Sequence, residues 1–355
     1  MKESSYTYNP FNSCKLMCHV DRWTQIKSGV IPPPVLVTLD PINRCNFNCS
    51  YCNAAYKMKC SSQSYDDYII DNIASFLVRW GVKAVCVAGG GEPLMHKRIN
   101  DLLFNLHRNG IEIGVVTNGS LINRCGLELT KCRWVGVSVD AGDRDTFAKL
   151  KNVKPNMFDR VIKNMVDLRN FDSKLEITYK FLAHPTNINS IYHAVKLAKE
   201  SGCNFFHLRP CGKTWDNLNE PNIFSKLDIA IAEAQINQAR EDFEDKDFRV
   251  FGIVHKFSNN WEIKHNFSKC YALAMTAIIE PDNYLGLCCD RRGDDRTRLG
   301  SFTVLDDILQ MWGSQKHWDL MKAIDLNDCP RCTYGPHNEI FENVILTDNV
   351  CKNFI

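Results

Sequence analysis

Short apolar runs bounded by turn residues alternate, along the first part of this chain, with longer segments whose apolar positions recur every three to four residues. Val35 to Asp40 is a β-branched run whose entry is fixed by Pro32, Pro33 and Pro34, and it predicts a buried strand. Ala84 to Ala88, Glu112 to Thr117, Trp134 to Asp140, Leu175 to Leu182 and Asn204 to Arg209 read the same way, which makes six strands. Between them Tyr65 to Trp80, Ile99 to Arg108, Met157 to Arg169 and Ile188 to Ser201 carry helical periodicity, most of them closed by Gly or Asn near the next strand. Such alternation predicts an α/β protein with a parallel sheet and right-handed crossovers, either doubly wound or part of a (β/α) barrel. In both, function sits beyond the C-terminal ends of the strands. From about Ser225 the pattern changes to a polar helix, Asp228 to Glu244, and then to a cysteine-bearing region without βα alternation.

A length of 355 residues allows two domains, or one large domain with an appendage. The formal charge of +2 gives no global case for gripping nucleic acid or an acidic membrane. A hydrophobic share of 45% with 24% charged residues excludes a disordered or fibrous chain. The longest apolar run, Tyr271 to Ile279 interrupted by Thr276, is far too short to span a bilayer. Met1 to Tyr6 has no apolar stretch after its charges, so the expected location is the cytoplasm, with no membrane partner.

Cysteine is the anomaly: seventeen thiols in a reducing compartment point to metal ligation, catalysis or burial rather than disulfides. Cys45, Cys49 and Cys52 fall on one short loop after the first strand. A structural zinc site takes four ligands and closes itself, whereas three thiolates on a four-iron cluster leave one iron open. At the end of the second strand stands Gly89-Gly90-Gly91-Glu92-Pro93, where glycines let backbone approach a ligand closely. Thr117-Asn118-Gly119 follows the third strand, Ser138-Val139-Asp140 ends the fourth and Leu208-Arg209-Pro210 ends the sixth. A second group, Cys270, Cys288, Cys329 and Cys332, would make a closed site for zinc or for a four-iron cluster. Pro281-Asp282-Asn283 predicts a β-hairpin between the first two of these.

The C-x3-C-x2-C loop, with Tyr51 before its last Cys, resembles that of the radical S-adenosylmethionine (radical SAM) enzymes, and the likeness runs along the whole βα region. It implies a partial (β/α)6 TIM-type barrel over 34–215, after an N-terminal extension over 1–33 and before a helical linker over 216–265. It implies a [4Fe–4S] cluster on Cys45, Cys49 and Cys52 that binds S-adenosylmethionine and cleaves it to a 5′-deoxyadenosyl radical. Gly90, Gly91 and Glu92 resemble the family's Gly-Gly-Glu-Pro motif, which meets the methionine amino group. Tyr51, Asn118, Ser138, Asp140 and Leu208 complete the implied cofactor contacts, with Asn187 a weaker match. Ser138 and Asp140 are equally readable as caps of the next helix.

Residues 266–355 resemble the C-terminal extension called SPASM, or its shortened form called twitch, and imply an auxiliary [4Fe–4S] cluster on Cys270, Cys288, Cys329 and Cys332. The family has Gly where this chain has Asn283, which also tolerates a left-handed turn. Leu299-Gly300-Ser301 and Leu305 to Trp312 resemble the family's next strand and Trp-bearing helix. Thr333 to Ile345 holds no cysteine, so one auxiliary cluster, the twitch form, is expected.

The implied function is hydrogen abstraction from a small polar substrate, an aminocyclitol, sugar or nucleoside, with oxidation or epimerisation and an electron donor of flavodoxin or ferredoxin type. The alternatives are peptide maturation, modification of a nucleic-acid base through Arg291, Arg292, Arg296 and Arg298, and a non-catalytic metal scaffold. Only about 34 residues precede the first strand, which weighs against a peptide-recognition domain. Cys289 is read as a spare ligand, an incidental thiol or a hydrogen-atom donor. Arg209, with His207, His255 and Glu280, is a polar candidate for substrate contact. Cys14, Cys18 and His19 form a group before the barrel that reads as structural or incidental, Cys351 is ambiguous, and Cys60, Cys86, Cys125, Cys132 and Cys203 read as plain thiols.

Overall fold

All six predicted strands form, side by side and parallel: β1 (Leu36–Leu39), β2 (Ala84–Val87), β3 (Glu112–Thr117), β4 (Trp134–Ser138), β5 (Glu176–Ala183) and β6 (Phe205–Pro210). The computed structural model describes residues 11–55, 62–214, 217–252, 256–257, 265–329 and 331–346. Cys60, His255 and Cys351 therefore lie outside the described residues. Among the described residues no helix is long and apolar enough to cross a membrane.

The crossover helices bury one face each against this sheet. Helix α1 (Val20–Lys27) precedes it, and its Arg22 donates to the carbonyls of Pro33 and Gly81, which fixes the entry to β1. Helix α2 (Asp67–Trp80) starts where the Asp66 side chain accepts from the Ile69 amide (2.8 Å) and stops at Gly81, whose φ of 86° suits glycine. It buries Ile69, Ile73, Phe76 and Leu77 on the helical spacing that the sequence displays. Helices α3 (Ile99–Arg108), α4 (Arg144–Lys151), α5 (Asn156–Phe171) and α6 (Ile191–Glu200) follow. Helix α4 is absent from the sequence reading, because eight residues with an apolar Phe147 and Leu150 carry too little periodicity.

One expectation is corrected. The segment 216–265 is not only a helical linker: α7 (Lys226–Phe243), opened by a Ser225–Asp228 capping box, leads into β7 (Arg249–Gly252), which pairs parallel with β6. The βα alternation thus continues for one more unit. Arg-Val-Phe-Gly is too short and too polar to register as an apolar run.

The C-terminal region joins the same sheet at its other edge. The predicted hairpin forms from β8 (Thr276–Ile279) and β9 (Tyr284–Gly286), and Asn283 adopts the left-handed conformation (φ 61°) expected of it. Strand β8 pairs parallel with β1, Leu36 opposite Thr276, while β10 (Arg298–Ser301) pairs antiparallel with β9. The result is one ten-stranded sheet in the order β10-β9-β8-β1-β2-β3-β4-β5-β6-β7, with no break at the boundary expected near residue 266. Helix α8 (Asp307–Met311) ends in Trp312, whose indole donates to the Pro32 carbonyl (2.7 Å) and packs edge-on against Trp80. Arg292, paired with Asp40 at 2.5 Å, ties the cysteine-rich segment to the residue that follows β1.

Candidate functional site

The C-terminal ends of the parallel strands open into a cavity of about 550 Å³. Cys45, Cys49 and Cys52 line it together with Gly89, Gly90 and Gly91. The thiol loop is shaped by its polar backbone. Its Asn48 and Ser50 amides donate to the carbonyls of Lys151 and Leu150 (3.2 and 3.0 Å), groups that the C-terminus of α4 leaves without helical partners. Phe47 drives its ring into the core, edge-on to Phe147 at 6.0 Å, so the thiols on either side of it stay at the cavity wall. Asn118 donates to Asn46 Oδ1, and Asn46 in turn to Ser120 Oγ, both at 2.8 Å, which latches the loop to the turn after β3.

The glycine turn lies along the other side of that loop. The Gly91 and Glu92 amides donate to Ile42 and Arg44 carbonyls (3.1 and 2.9 Å). A Cβ on Gly91 would come within 2.0 Å of the Arg44 oxygen, so only glycine permits the approach. Glu92 is 2% exposed and accepts from Thr117 Oγ1 (2.6 Å), the Asn118 amide (2.7 Å) and the Leu94 amide (3.2 Å). Burial outweighs these bonds and lifts its carboxyl from 4.5 to about 7. A carboxyl raised on folding holds its proton more tightly in the native state. The stability it brings is complete below about pH 4.5 and is lost as pH rises through about 7. Replacement Glu92→Gln is expected to remove a fall of about 3 kcal/mol across that window, read as denaturation midpoint against pH; an unchanged slope would refute it.

Gly90, Gly91, Glu92, Asn118 and Ser138 all line the cavity. Tyr51, Asp140 and Leu208 are not among its lining residues. Asp140 is 1% exposed and its carboxylate is occupied by the Tyr51 hydroxyl (2.7 Å), the Leu182 amide (2.6 Å) and the Lys151 ammonium. It neither caps a helix nor reaches the cavity: it bolts the thiol loop to β5. Lys151 also lines the cavity, and its charge opposes the rise that burial imposes on the Cys49 thiol. Leu208 belongs to the hydrophobic core, and Asn187 donates to the Asp140 carbonyl (2.8 Å).

Cys270, Cys288, Cys329 and Cys332 are brought together around a second, small cavity of about 20 Å³. Burial raises all four thiols, Cys270 to about 11. Two donors face their sulfurs: Arg291 Nη1 to Cys329 at 3.4 Å and Asn338 Nδ2 to Cys270 at 3.6 Å. Cys289 is not part of this group. Cys288 is extended (φ −137°, ψ 125°), which turns successive side chains to opposite sides, and Cys289 lines the large cavity, 3.8 Å from the Tyr334 hydroxyl. Asp290, Arg331 and Tyr334 line both cavities and form the wall between them.

The donor sets fit iron–sulfur clusters. Among the described residues no three His, Cys, Asp or Glu side chains converge as a single bound ion requires. A four-iron cluster takes its thiolates on different irons, and its soft metal suits an all-sulfur set. Three thiols on an open wall suit a cluster with a free iron, and four around a closed cavity suit a fully ligated one.

The remaining candidates separate cleanly. Arg209 faces the large cavity, whereas His207 stacks on Phe11 at 3.8 Å. Glu280 is spent on Arg298 (2.5 Å) and the Gly293 amide, so it is a structural anchor rather than a substrate contact. The arginine cluster offers no basic patch: Arg291 and Arg296 pair with Asp294, Arg292 with Asp40, and Arg298 with Glu280 and Asp282. Cys125, Cys132, Cys203 and Cys211 are buried, Cys86 lines the large cavity, and Cys14 and Cys18 are exposed. The sequence reading passed over Lys180, Lys151, Arg331 and Tyr334, all of which line the large cavity. Lys180 had a signal, the one positive charge inside the run Leu175 to Leu182; the others had none.

Residues 39–198 match the profile of the Radical SAM superfamily. Among curated proteins, the probable GTP 3′,8-cyclase of Pyrobaculum aerophilum is 25% identical over 189 residues, 50% of this chain and 60% of that protein. The GTP 3′,8-cyclase of Staphylococcus aureus is 34% identical over 140 residues, 36% of this chain and 40% of that protein. The chain thus spans about half the length of the curated relatives it matches. Among solved structures, Streptococcus suis SuiB bound to precursor peptide SuiA superposes with a TM-score of 0.63 at 17% identity, covering 94% of this chain and 80% of that one. Native anSMEcpe with bound AdoMet gives 0.61 at 17% identity, covering 86% and 88%. These two show the same fold across the barrel and the cysteine-rich region. With the thiol loop, the glycine turn and the Asn118 latch all inside the matched segment, the chain carries a Radical SAM superfamily domain over residues 39–198.

Proposed function

We propose that this chain is a radical SAM enzyme that removes a hydrogen atom from a small polar substrate held in the large cavity and oxidises or epimerises it. The observation that carries this reading is the shared cavity. Cys45, Cys49, Cys52 and the glycine turn line it, and so do Asp290, Arg331 and Tyr334, which also wall the second cysteine pocket. Cys45, Cys49 and Cys52 would hold one four-iron cluster, with Gly90, Gly91, Asn118 and Ser138 facing S-adenosylmethionine. Cys270, Cys288, Cys329 and Cys332 would hold a second, which would accept the electron that the substrate radical gives up when the outcome is oxidation. When bound, the first cluster and S-adenosylmethionine supply one-electron cleavage of the sulfonium and a carbon radical that takes hydrogen.

The chain's own residues do the rest. Lys151 places positive charge beside the thiol loop, and Asp140 with Tyr51 keeps that loop at the wall. Cys289 lines the cavity beside the Tyr334 hydroxyl, and its thiol would serve as the hydrogen-atom donor that an epimerisation requires. Arg209 contacts the substrate. Curated relatives named for a GTP reaction support a nucleoside among the candidate substrates. An electron donor of flavodoxin or ferredoxin type completes the reading. The internally paired arginines remove the support for a nucleic-acid substrate.

The test is anaerobic. Reconstituted, reduced protein given S-adenosylmethionine is expected to release 5′-deoxyadenosine, measured by chromatography. None from a fully loaded protein overturns the enzyme in favour of a metal scaffold.

A further inference from the structure

Lys180 on β5 and Arg209 on β6 both line the large cavity, and among the described residues neither side chain has a hydrogen-bond or ion-pair partner. A cation withdrawn from water without a counter-charge is costly, so a fold keeps one in place when something else supplies the anion. The carboxylates near that wall are already spent. Asp290 accepts from Arg331 Nε (2.9 Å) and the Thr333 amide (2.6 Å), Asp40 pairs with Arg292, and Asp140 pairs with Lys151. What remains uncompensated is positive.

We infer that Lys180 and Arg209 are the binding site for an anionic group of the substrate, a phosphate or a carboxylate. This deepens the reading above and rests on it only for the word substrate. A guanidinium presents paired N–H groups to two oxygens of such a group, and an ammonium adds a point charge that adapts to its position. The charged groups that act on Arg209 are Arg331, Asp290, Cys289 and Cys332, all from the C-terminal region. Those that act on Lys180 are Cys86, Arg209, Asp140 and Arg331. Arg331 acts on both, so the pair lies toward the wall that Asp290, Arg331 and Tyr334 form. An amine such as an aminocyclitol would meet two unpaired cations there. The substrate class narrows to a sugar or nucleoside that carries phosphate or carboxylate.

The experiment uses the full chain, anaerobically reconstituted and saturated with S-adenosylmethionine, and titrates inorganic phosphate and, separately, malonate by calorimetry. At least one anion is expected to bind. Arg209→Gln and Lys180→Gln should each weaken it about tenfold or more, as loss of a charged hydrogen bond does, while Arg209→Lys recovers part of the loss. Affinity for S-adenosylmethionine should stay within about twofold, which also shows that the variants fold. Stronger binding of phosphate assigns a phosphorylated substrate, and stronger binding of malonate a carboxylated one. The proposal fails if neither anion binds, if the variants bind as well as the parent, or if they lose S-adenosylmethionine instead, because the charges would then hold its carboxylate. Anion binding that depends on both residues, in a protein that releases no 5′-deoxyadenosine, leaves this site standing and removes the radical chemistry alone.

Discussion

Replacing Cys45, Cys49 and Cys52 together by Ala is expected to abolish release of 5′-deoxyadenosine and to leave the reconstituted protein with about four irons and four sulfides in place of about eight of each. The three thiols line one cavity wall and share one backbone loop. The second cysteine group surrounds its own small cavity and should keep its iron. Replacing Cys270, Cys288, Cys329 and Cys332 should do the converse to iron content, retaining the half held by the first loop. A triple variant that keeps all its iron, or that still cleaves S-adenosylmethionine, places the first cluster elsewhere.

The second large effect is on folding. Lys151→Met leaves the Asp140 carboxylate, 1% exposed, without its cation. Removing one partner of a buried ion pair costs about 3 to 5 kcal/mol, since the remaining charge has lost both water and counter-ion. Burial by itself lowers the Lys151 ammonium, but the facing Asp140 carboxylate more than restores it, so Lys151 is held in its charged form. The measurement is the urea midpoint of the apoprotein. Combining Asp140→Asn with Lys151→Met should return a substantial part of the loss, because the second change removes the stranded charge. A single variant that loses under about 1 kcal/mol would show that the pair is solvated and does not anchor the loop. Because Lys151 also faces the thiols, the same variant should assemble its first cluster less completely than its second.

The strands were legible because each parallel strand is buried on both faces and is therefore written as a short run such as Leu36-Val37-Thr38-Leu39. Strand β7 was not, since it is an edge strand with one well-buried side chain, Val250, and its polarity hides the pairing. The thiol loop and the glycine turn were legible because their chemistry is local in sequence. The partners of Asp140 are not legible in the same way: Tyr51, Lys151 and Leu182 come from three other segments, and no spacing announces them. Cys288 and Cys289 could not be told apart in the chain, yet an extended backbone sends them to different cavities.

The order of elements, the two cysteine groups and the left-handed turn at Asn283 follow from the sequence, because periodicity, ligand spacing and turn preference act over a few residues. That β8 docks on β1, that Asp290, Arg331 and Tyr334 divide one cavity from the other, and that Lys180 and Arg209 find no counter-charge among the described residues were decided only by the folded chain. Burial and charge compensation depend on which distant side chains arrive at the same place, and that is a property of the sheet order.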